Sequence, residues 1–114
     1  MRLKAEIWVK AYLRQCQVAG IPGYVVKRGD SDAGSILVRV NRLDGRSILL
    51  APAPAGLEDT RGGHRFAART DLSGISDAEV EAIIEKTLSF DGDIWIVETE
   101  DRDGRHLLDD VLKR

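Results

Sequence analysis

The chain has 114 residues, of which 43% are hydrophobic and 32% are charged, and its formal net charge is −2. A chain of this length and composition forms one globular domain with one core, and it belongs to neither the disordered nor the collagen-like classes. We therefore expect a single domain over residues 1–114.

The apolar runs are too short for a membrane protein. The longest contain four residues, for example residues 94–97, whereas a membrane-spanning helix needs roughly 20. The N-terminal segment lacks the continuous apolar core of a signal peptide, because Glu6 and Lys10 interrupt it. The only cysteine, Cys16, has no partner for an internal disulfide. We predict a soluble cytoplasmic protein that does not associate with membranes.

Charge is unevenly distributed along the chain. Residues 1–69 carry twelve Lys and Arg against six Asp and Glu, a net charge of +6, and residues 70–114 carry five against thirteen, a net charge of −8. Two interpretations are open. Either the two halves pack together and partly neutralise each other, or one face stays basic and attracts an acidic partner.

An amphipathic helix is predicted from about Leu3 to Ala19, with Gly20 and Pro22 as its stop signal. A narrower apolar stripe lies on a second face of this helix, and we expect either the rest of the fold or a partner to cover it. The main stripe contains Ala5, Trp8, Val9, Tyr12, Cys16 and Ala19, and the second stripe contains Leu3, Ile7, Ala11 and Val18.

Three short runs rich in branched aliphatic residues follow, at 23–28, 35–42 and 46–51, and they predict β-strands. The dipeptide at 44–45 is Asp-Gly, which favours a two-residue hairpin loop. Such a loop pairs residue 42 with residue 47. The resulting register places one set of side chains together toward the core, namely Ile36, Val38, Val40, Leu49 and Ala51.

In the second half, residues 51–63 predict a long surface loop, residues 64–69 a fourth strand and residues 93–100 a further strand. Ser76 and Glu79 form a capping box that predicts the start of a second helix. Its predicted buried stripe contains Val80, Ile83, Ile84, Thr87 and Leu88.

Residues 105–113 fit a returning strand or a short terminal helix equally well. These elements together predict an α+β fold with two layers, a mostly antiparallel sheet of four to six strands packed against two helices.

Acidic and histidine side chains offer few combinations for chemistry. Asp30 and Asp32 lie two residues apart, as at the start of a calcium-binding loop, but the glycine and glutamate that such a loop needs are absent. His64 and His106 lack metal-ligand spacing. We expect these aspartates to form a turn, and we predict no metal, no cofactor and no catalytic residue. A small enzyme built from these Asp and His residues remains an alternative.

Nucleic-acid binding is a further alternative. The β-region is rich in arginine, and helix, three strands and helix is the element order of a double-stranded-RNA-binding domain. Against it, the second helix is acidic, whereas such a domain needs lysines there. The basic candidates for a binding site are Arg28, Arg39, Arg42 and Arg46.

Four segments resemble an uncharacterised bacterial family, domain of unknown function 1491. They read RLKAEIWVKAYLRQCQVAGIP, VVKRGDSDAG, VRVNRLDG and FDGDIWIVETEDRDGRHLLD. The resemblance spans nearly the whole chain, and it implies no activity, cofactor or catalytic residue.

The favoured hypothesis is a small non-catalytic module that binds a protein partner or itself through the second stripe of the first helix.

Overall fold

In the computed structural model, residues 3–54, 64–108 and 111 are described, and they contain two helices and six strands. Helix α1 spans Ala5–Val18 and helix α2 spans Asp77–Phe90. The strands are β1 Gly23–Lys27, β2 Ile36–Asn41, β3 Arg46–Pro52, β4 Phe66–Ala68, β5 Ile75–Ser76 and β6 Trp95–Glu100.

The strands form one sheet in the order β1-β6-β2-β3-β4, and β5 pairs with the start of β3. Every pairing is antiparallel except that of β2 with β6, which is parallel. The predicted α+β class, with a mostly antiparallel sheet and two helices, is confirmed.

The two helices lie on opposite faces of the sheet. Val9 and Tyr12 of α1 pack into one cluster of buried residues, together with Val38 and Val97. Val80 of α2 packs into a second cluster on the other face. The layering therefore differs from the prediction, because the sheet lies between the helices and the molecule has three layers instead of two.

Three central strands are buried on both of their faces. Successive residues of β2 alternate between the two clusters, so that Ile36 faces α1 and Leu37 faces α2, and both are almost completely buried. In β6, Trp95 likewise faces α1 and Ile96 faces α2. This double burial explains why these strands read as continuous apolar runs.

The register predicted for the β2–β3 hairpin is wrong by one residue. Leu43 adopts a left-handed conformation, with φ of 63°, and joins the loop. The loop thus has three residues, and the N–H of Arg42 donates to the carbonyl of Arg46 at 3.0 Å. Val40 consequently pairs with Ile48. A shift of one residue exchanges the faces of a strand, so Ile48 and Leu50 face α1 while Leu49 and Ala51 face α2.

Both helices occupy the predicted parts of the chain. The hydroxyl of Ser76 accepts a hydrogen bond from the N–H of Glu79 at 3.2 Å, which confirms the predicted cap of α2. Helix α1 is shorter than predicted, and Ala19, which was assigned to its buried stripe, lies exposed beyond its end. Among the described residues, neither helix is long and apolar enough to cross a bilayer.

Two predicted segments differ in detail. Pro52, assigned to the long loop, belongs to β3, as does Ala51, which was assigned to both the strand and the loop. Residues 55–63 of that loop lie outside the described residues. Residues 105–108 form neither the strand nor the helix that were the alternatives, and most of 109–113 also lies outside the described residues. The Tyr12 hydroxyl anchors this segment, since it donates to the His106 carbonyl at 2.8 Å.

Asp101 stabilises the turn that leads into the C-terminal segment. Its carboxylate accepts hydrogen bonds from the backbone N–H of Arg105 at 2.7 Å and from the Arg105 guanidinium at 2.8 Å. The hydrogen bond from the Arg105 side chain is the main reason why the pKa of Asp101 is lowered.

We predict that Asp101→Asn lowers the free energy of unfolding by about 1 kcal/mol at pH 7, because a neutral amide replaces the paired carboxylate. A carboxyl with a lowered folded-state pKa contributes stability above its unfolded-state pKa and loses it as the pH falls through the folded-state value. The difference between wild type and variant in urea unfolding should therefore disappear in strong acid. A difference that is constant with pH would contradict this assignment.

Candidate protein-interaction surface

Arg39 is almost completely buried beneath α2. Its guanidinium lies 2.9 Å from a carboxylate oxygen of Glu81 and 3.3 Å from one of Asp77, and Glu98 lies 4.0 Å away. Its Nε also donates to the hydroxyl of Ser47 at 3.2 Å. Arg39 therefore joins the sheet to the first two turns of α2 and is not available to an external ligand.

Arg42 and Arg46 also bind within the chain. The Arg42 guanidinium donates to the Ser73 carbonyl at 2.8 Å, and that of Arg46 donates to the Gly74 carbonyl at 2.8 Å. Both side chains thus hold the turn that precedes β5 against the β2–β3 hairpin.

Arg28 lies at a different place, next to α1. Its guanidinium lies 2.6 Å from a carboxylate oxygen of Glu6 and stacks over the ring of Trp95, at 5.0 Å from the ring centroid. This ion pair lowers the pKa of Glu6. The four predicted arginines therefore lie in three places, with Arg42 and Arg46 together at the turn before β5, and each contacts acceptors of its own chain. Arg39 in particular pairs the basic first half of the sequence with the acidic second half.

Asp30 and Asp32 build the turn that caps α1. The Asp30 carboxylate accepts hydrogen bonds from the N–H groups of Ala33 at 2.8 Å and Asp32 at 3.2 Å. The Asp32 carbonyl accepts from the N–H of Ala5, at the first turn of α1, at 3.1 Å. Gly34 is needed here because an added Cβ would lie 2.5 Å from the carbonyl oxygen of Asp93. This geometry agrees with the structural turn predicted from the sequence.

The two histidines contact different parts of α1. The ring of His64 lies 5.6 Å from that of Trp8, and its Nε2 lies 2.7 Å from the Leu3 carbonyl oxygen. The Nδ1 of His106 accepts a hydrogen bond from the N–H of Leu108. Within the described part of the chain, no group of three or more His, Cys, Asp or Glu side chains has the geometry to hold a metal ion.

Cys16 lies on the buried side of α1 and is fully buried, and this burial raises the pKa of its thiol. A reactive cysteine needs the opposite, an accessible thiol with a lowered pKa. Its contribution is to packing.

The second stripe of α1 faces away from the sheet. Ile7 and Val18 are 51% and 78% exposed, Leu3 is 42% exposed, and Ala11 is also exposed. Of the four residues predicted as a partner surface, Ile7, Ala11 and Val18 thus lie along one side of the helix and Leu3 lies just before its start, and all four are exposed within the described part of the chain. We call these four residues the outer face of α1.

A groove adjoins this face. It has a volume of about 850 Å³ and lies between the C-terminal half of α1 and the start of β1. Beyond it lies β1, whose Tyr24, Val25 and Val26 are exposed. The residues that line the groove are Lys10, Leu13, Arg14, Gln17, Gly20, Ile21, Pro22, Gly23 and Tyr24.

Tyr24 borders the groove, and its side chain extends toward Glu98 on the α2 side of the sheet. Its hydroxyl donates to the Glu98 carboxylate at 2.9 Å, and this hydrogen bond is the main reason why the pKa of Tyr24 is raised to about 12. The Tyr24 hydroxyl lies near two carboxylates, those of Glu98 at 2.9 Å and Glu100 at 3.5 Å.

The chain matches the model of the family "Protein of unknown function (DUF1491)" over residues 3–109. It belongs to this family. A DUF1491 family protein from Caulobacter crescentus has a crystal structure that superposes with a TM-score of 0.79 at 31% identity, and each chain is covered completely. The solution structure of protein Atu0922 from A. tumefaciens superposes with a TM-score of 0.76 at 39% identity, covering 88% of this chain and 86% of that chain.

A third similar structure was determined by NMR, again for a DUF1491 family protein from Caulobacter crescentus. It has a TM-score of 0.77 and 32% identity, and it covers 100% of this chain and 99% of that chain. The comparison with curated proteins finds no match. The DUF1491 relatives thus support the fold and name no ligand or activity.

The sequence interpretation missed the groove and the exposed edge of β1. Residues 23–28 were predicted as a strand, but the pattern gave no indication that this strand ends the sheet. Its position depends on pairing with β6, about 70 residues away along the chain. Lys10 and Arg14, four residues apart in the predicted first helix, were the only local signal of the groove.

We predict that Arg39→Ala lowers the free energy of unfolding by about 3 kcal/mol. Removal of one partner leaves the remaining carboxylates partly buried without a counter-charge, and the value lies at the lower end of the usual range because Glu81 is largely exposed. Arg39→Lys, which keeps the charge and loses the branched contacts, should lose less. Chemical denaturation measures both, and a loss below about 0.5 kcal/mol for Arg39→Ala would contradict the role of this network.

For the loop at 30–34, Asp30→Ala should lower the free energy of unfolding by about 1 kcal/mol, because two backbone N–H groups lose their acceptor. Asp32→Ala is the matched control, and its effect should be within about 0.5 kcal/mol, since its exposed carboxylate contacts only Lys4 at 3.8 Å among the described residues. Calcium should leave the Tm of all three proteins unchanged. A calcium-dependent rise in Tm that Asp30→Ala abolishes would instead establish a metal site.

Proposed function

We propose that this DUF1491 protein is a non-catalytic interaction module that binds a partner protein through the outer face of α1. The observation that carries this proposal is the exposure of Ile7 and Val18 on a helix whose opposite face is fully packed, with the exposed Leu3 just before the helix begins. Aligned apolar side chains on one helix face are characteristic of a surface that is covered by another protein.

The charges around the outer face favour an acidic partner. Lys4 and Lys10 have largely exposed side chains that form solvent-exposed ion pairs with Asp32 at 3.8 Å and Glu6 at 3.5 Å. The exposed Arg14 lies between Ile7 and Val18 along the helix. A partner surface with apolar residues surrounded by Asp and Glu would satisfy both the apolar stripe and these cations. We therefore propose an amphipathic acidic helix of another protein as the occupant.

The surroundings of the other candidate residues support this choice. The arginines that a nucleic-acid-binding surface would use contact acceptors of their own chain. Asp30 caps a turn, and Asp32 belongs to the same turn. We place the module in the bacterial cytoplasm, which is consistent with its buried free thiol and with its relatives from Caulobacter crescentus and A. tumefaciens.

We predict that the double substitution Ile7→Glu and Val18→Glu reduces recovery of the partner at least tenfold in a quantitative pull-down from native extract treated with nuclease. Two glutamates introduce desolvation cost and charge repulsion against an acidic partner. Both positions are exposed, so the Tm should be nearly unchanged.

Phe90→Glu is the matched control, because Phe90 is an exposed apolar residue at the end of α2, on the other face of the molecule. It should leave recovery unchanged. Equal recovery by wild type and the double variant would refute the proposed surface. Loss of recovery on nuclease treatment would favour nucleic acid, and a second copy as the occupant would appear as a dimer in light scattering that the double variant abolishes.

A further inference from the structure

Strand β1 forms one edge of the sheet. It pairs with β6 on one side, and the sheet order places no described strand on its other side. Its side chains are exposed over most of its length, including 55% of Val26. An edge of this kind offers backbone hydrogen-bonding groups to an incoming strand.

The pairing with β6 identifies which groups point outward. The N–H of Glu100 donates to the carbonyl of Pro22 at 2.9 Å, so residues 22 and 100 form a hydrogen-bonded pair. Such pairs alternate with non-hydrogen-bonded pairs in an antiparallel ladder. Gly23 and Val25, opposite Thr99 and Val97, are therefore of the second kind. Their N–H and C=O groups point away from β6, toward the open edge.

The available edge is short. The register is irregular between Val25 and Lys27. The Lys27 ammonium folds back onto the carbonyl of Gly92 at 2.7 Å, which closes this end of the strand. With about 3.3 Å per residue, residues 22–26 offer room for a segment of roughly five residues.

The two sides of this edge differ in charge. On the α1 side lies the groove with Arg14 and with Lys10, whose largely exposed side chain also pairs with Glu6 at 3.5 Å. On the α2 side lie the neutral ring of Tyr24 and the carboxylates of Glu98 and Glu100. Side chains of an added strand would alternate between these environments. Acidic side chains fit the α1 side, and uncharged ones fit the other side.

We propose that the β1 edge accepts an extended segment of a partner protein as an additional strand, with acidic side chains at alternate positions directed into the groove beside α1. This inference rests on the proposed function, since it adds a second contact to the same interaction module. The backbone supplies affinity, and Lys10 and Arg14 supply selectivity.

A second copy of the chain fits this edge less well. Antiparallel pairing of two β1 strands about a twofold axis perpendicular to the sheet places both α1 helices on the same face. The Lys10 and Arg14 side chains of the two copies would then face each other across the junction, and like charges repel. An acidic segment would instead place carboxylates next to Lys10 and Arg14, and these opposite charges attract.

The test selects binders from a phage-displayed library of random dodecapeptides against the folded full chain. The most enriched peptide is synthesised with a fluorescent label, and its Kd is measured by anisotropy. We expect enriched sequences with Asp or Glu at alternate positions. Val25→Pro removes an outward N–H to which the added strand would bind, and it should therefore weaken binding at least tenfold. The variant should still fold, because proline is tolerated on an edge strand where its N–H faces solvent.

Val25→Thr is the matched control, since it keeps the N–H, and it should bind within about threefold of wild type. The charge reversal Lys10→Glu with Arg14→Glu should also weaken binding at least tenfold. If Val25→Pro fails to fold, this double variant and the backbone amide shifts of Gly23 and Val25 on peptide titration decide the matter. The amide signals of both residues should shift and saturate.

The proposal is overturned if no peptide is enriched, if the enriched peptides are not acidic, or if a folded Val25→Pro protein binds them with wild-type affinity. A peptide-induced dimer would also overturn it in favour of a second copy. The Ile7→Glu and Val18→Glu variant should retain peptide binding. If that variant loses partner recovery and the peptide test fails, binding at the outer face of α1 is supported and only strand addition at the β1 edge is refuted.

Discussion

Burial of the central strands on both faces is the constraint on which the rest of this structure depends. β2, β3 and β6 carry apolar side chains toward both α1 and α2, so neither helix alone could complete the core. One helix must cover each face. Because the helices are single layers with solvent beyond them, any further apolar stripe on a helix is exposed, and the outer face of α1 is such a stripe.

The same constraint explains the buried charge. Arg39 lies on β2, in the middle of the sheet, where a cation without partners would be strongly unfavourable. Asp77 and Glu81 come from the first two turns of α2, and Glu98 from β6. The opposite charges of the two halves of the sequence are thus partly neutralised inside one domain, as one of the two interpretations of the charge pattern predicted. The cations that remain exposed include Lys10 and Arg14 beside the groove.

The sequence predicted the elements better than their arrangement. Gly20 marked the end of α1, Ser76 marked the start of α2, and apolar runs marked the long strands. The β2–β3 register was missed because Leu43 takes a positive φ, which is uncommon for leucine. The edge position of β1 was missed because it follows from pairing with distant residues, whereas the outer face of α1 was found because its spacing is local.

The central claim is that the outer face of α1 is covered by another protein in the cell. Photo-crosslinking tests it most directly, with a benzophenone amino acid placed at Ala11 in one strain and at Phe90 in another. Ala11 is exposed in the middle of the outer face, and Phe90 is exposed on the other side of the sheet. The account predicts a discrete crosslinked protein band from position 11 after irradiation of living cells, and none from position 90. No band from position 11, or the same band from both positions, would contradict it.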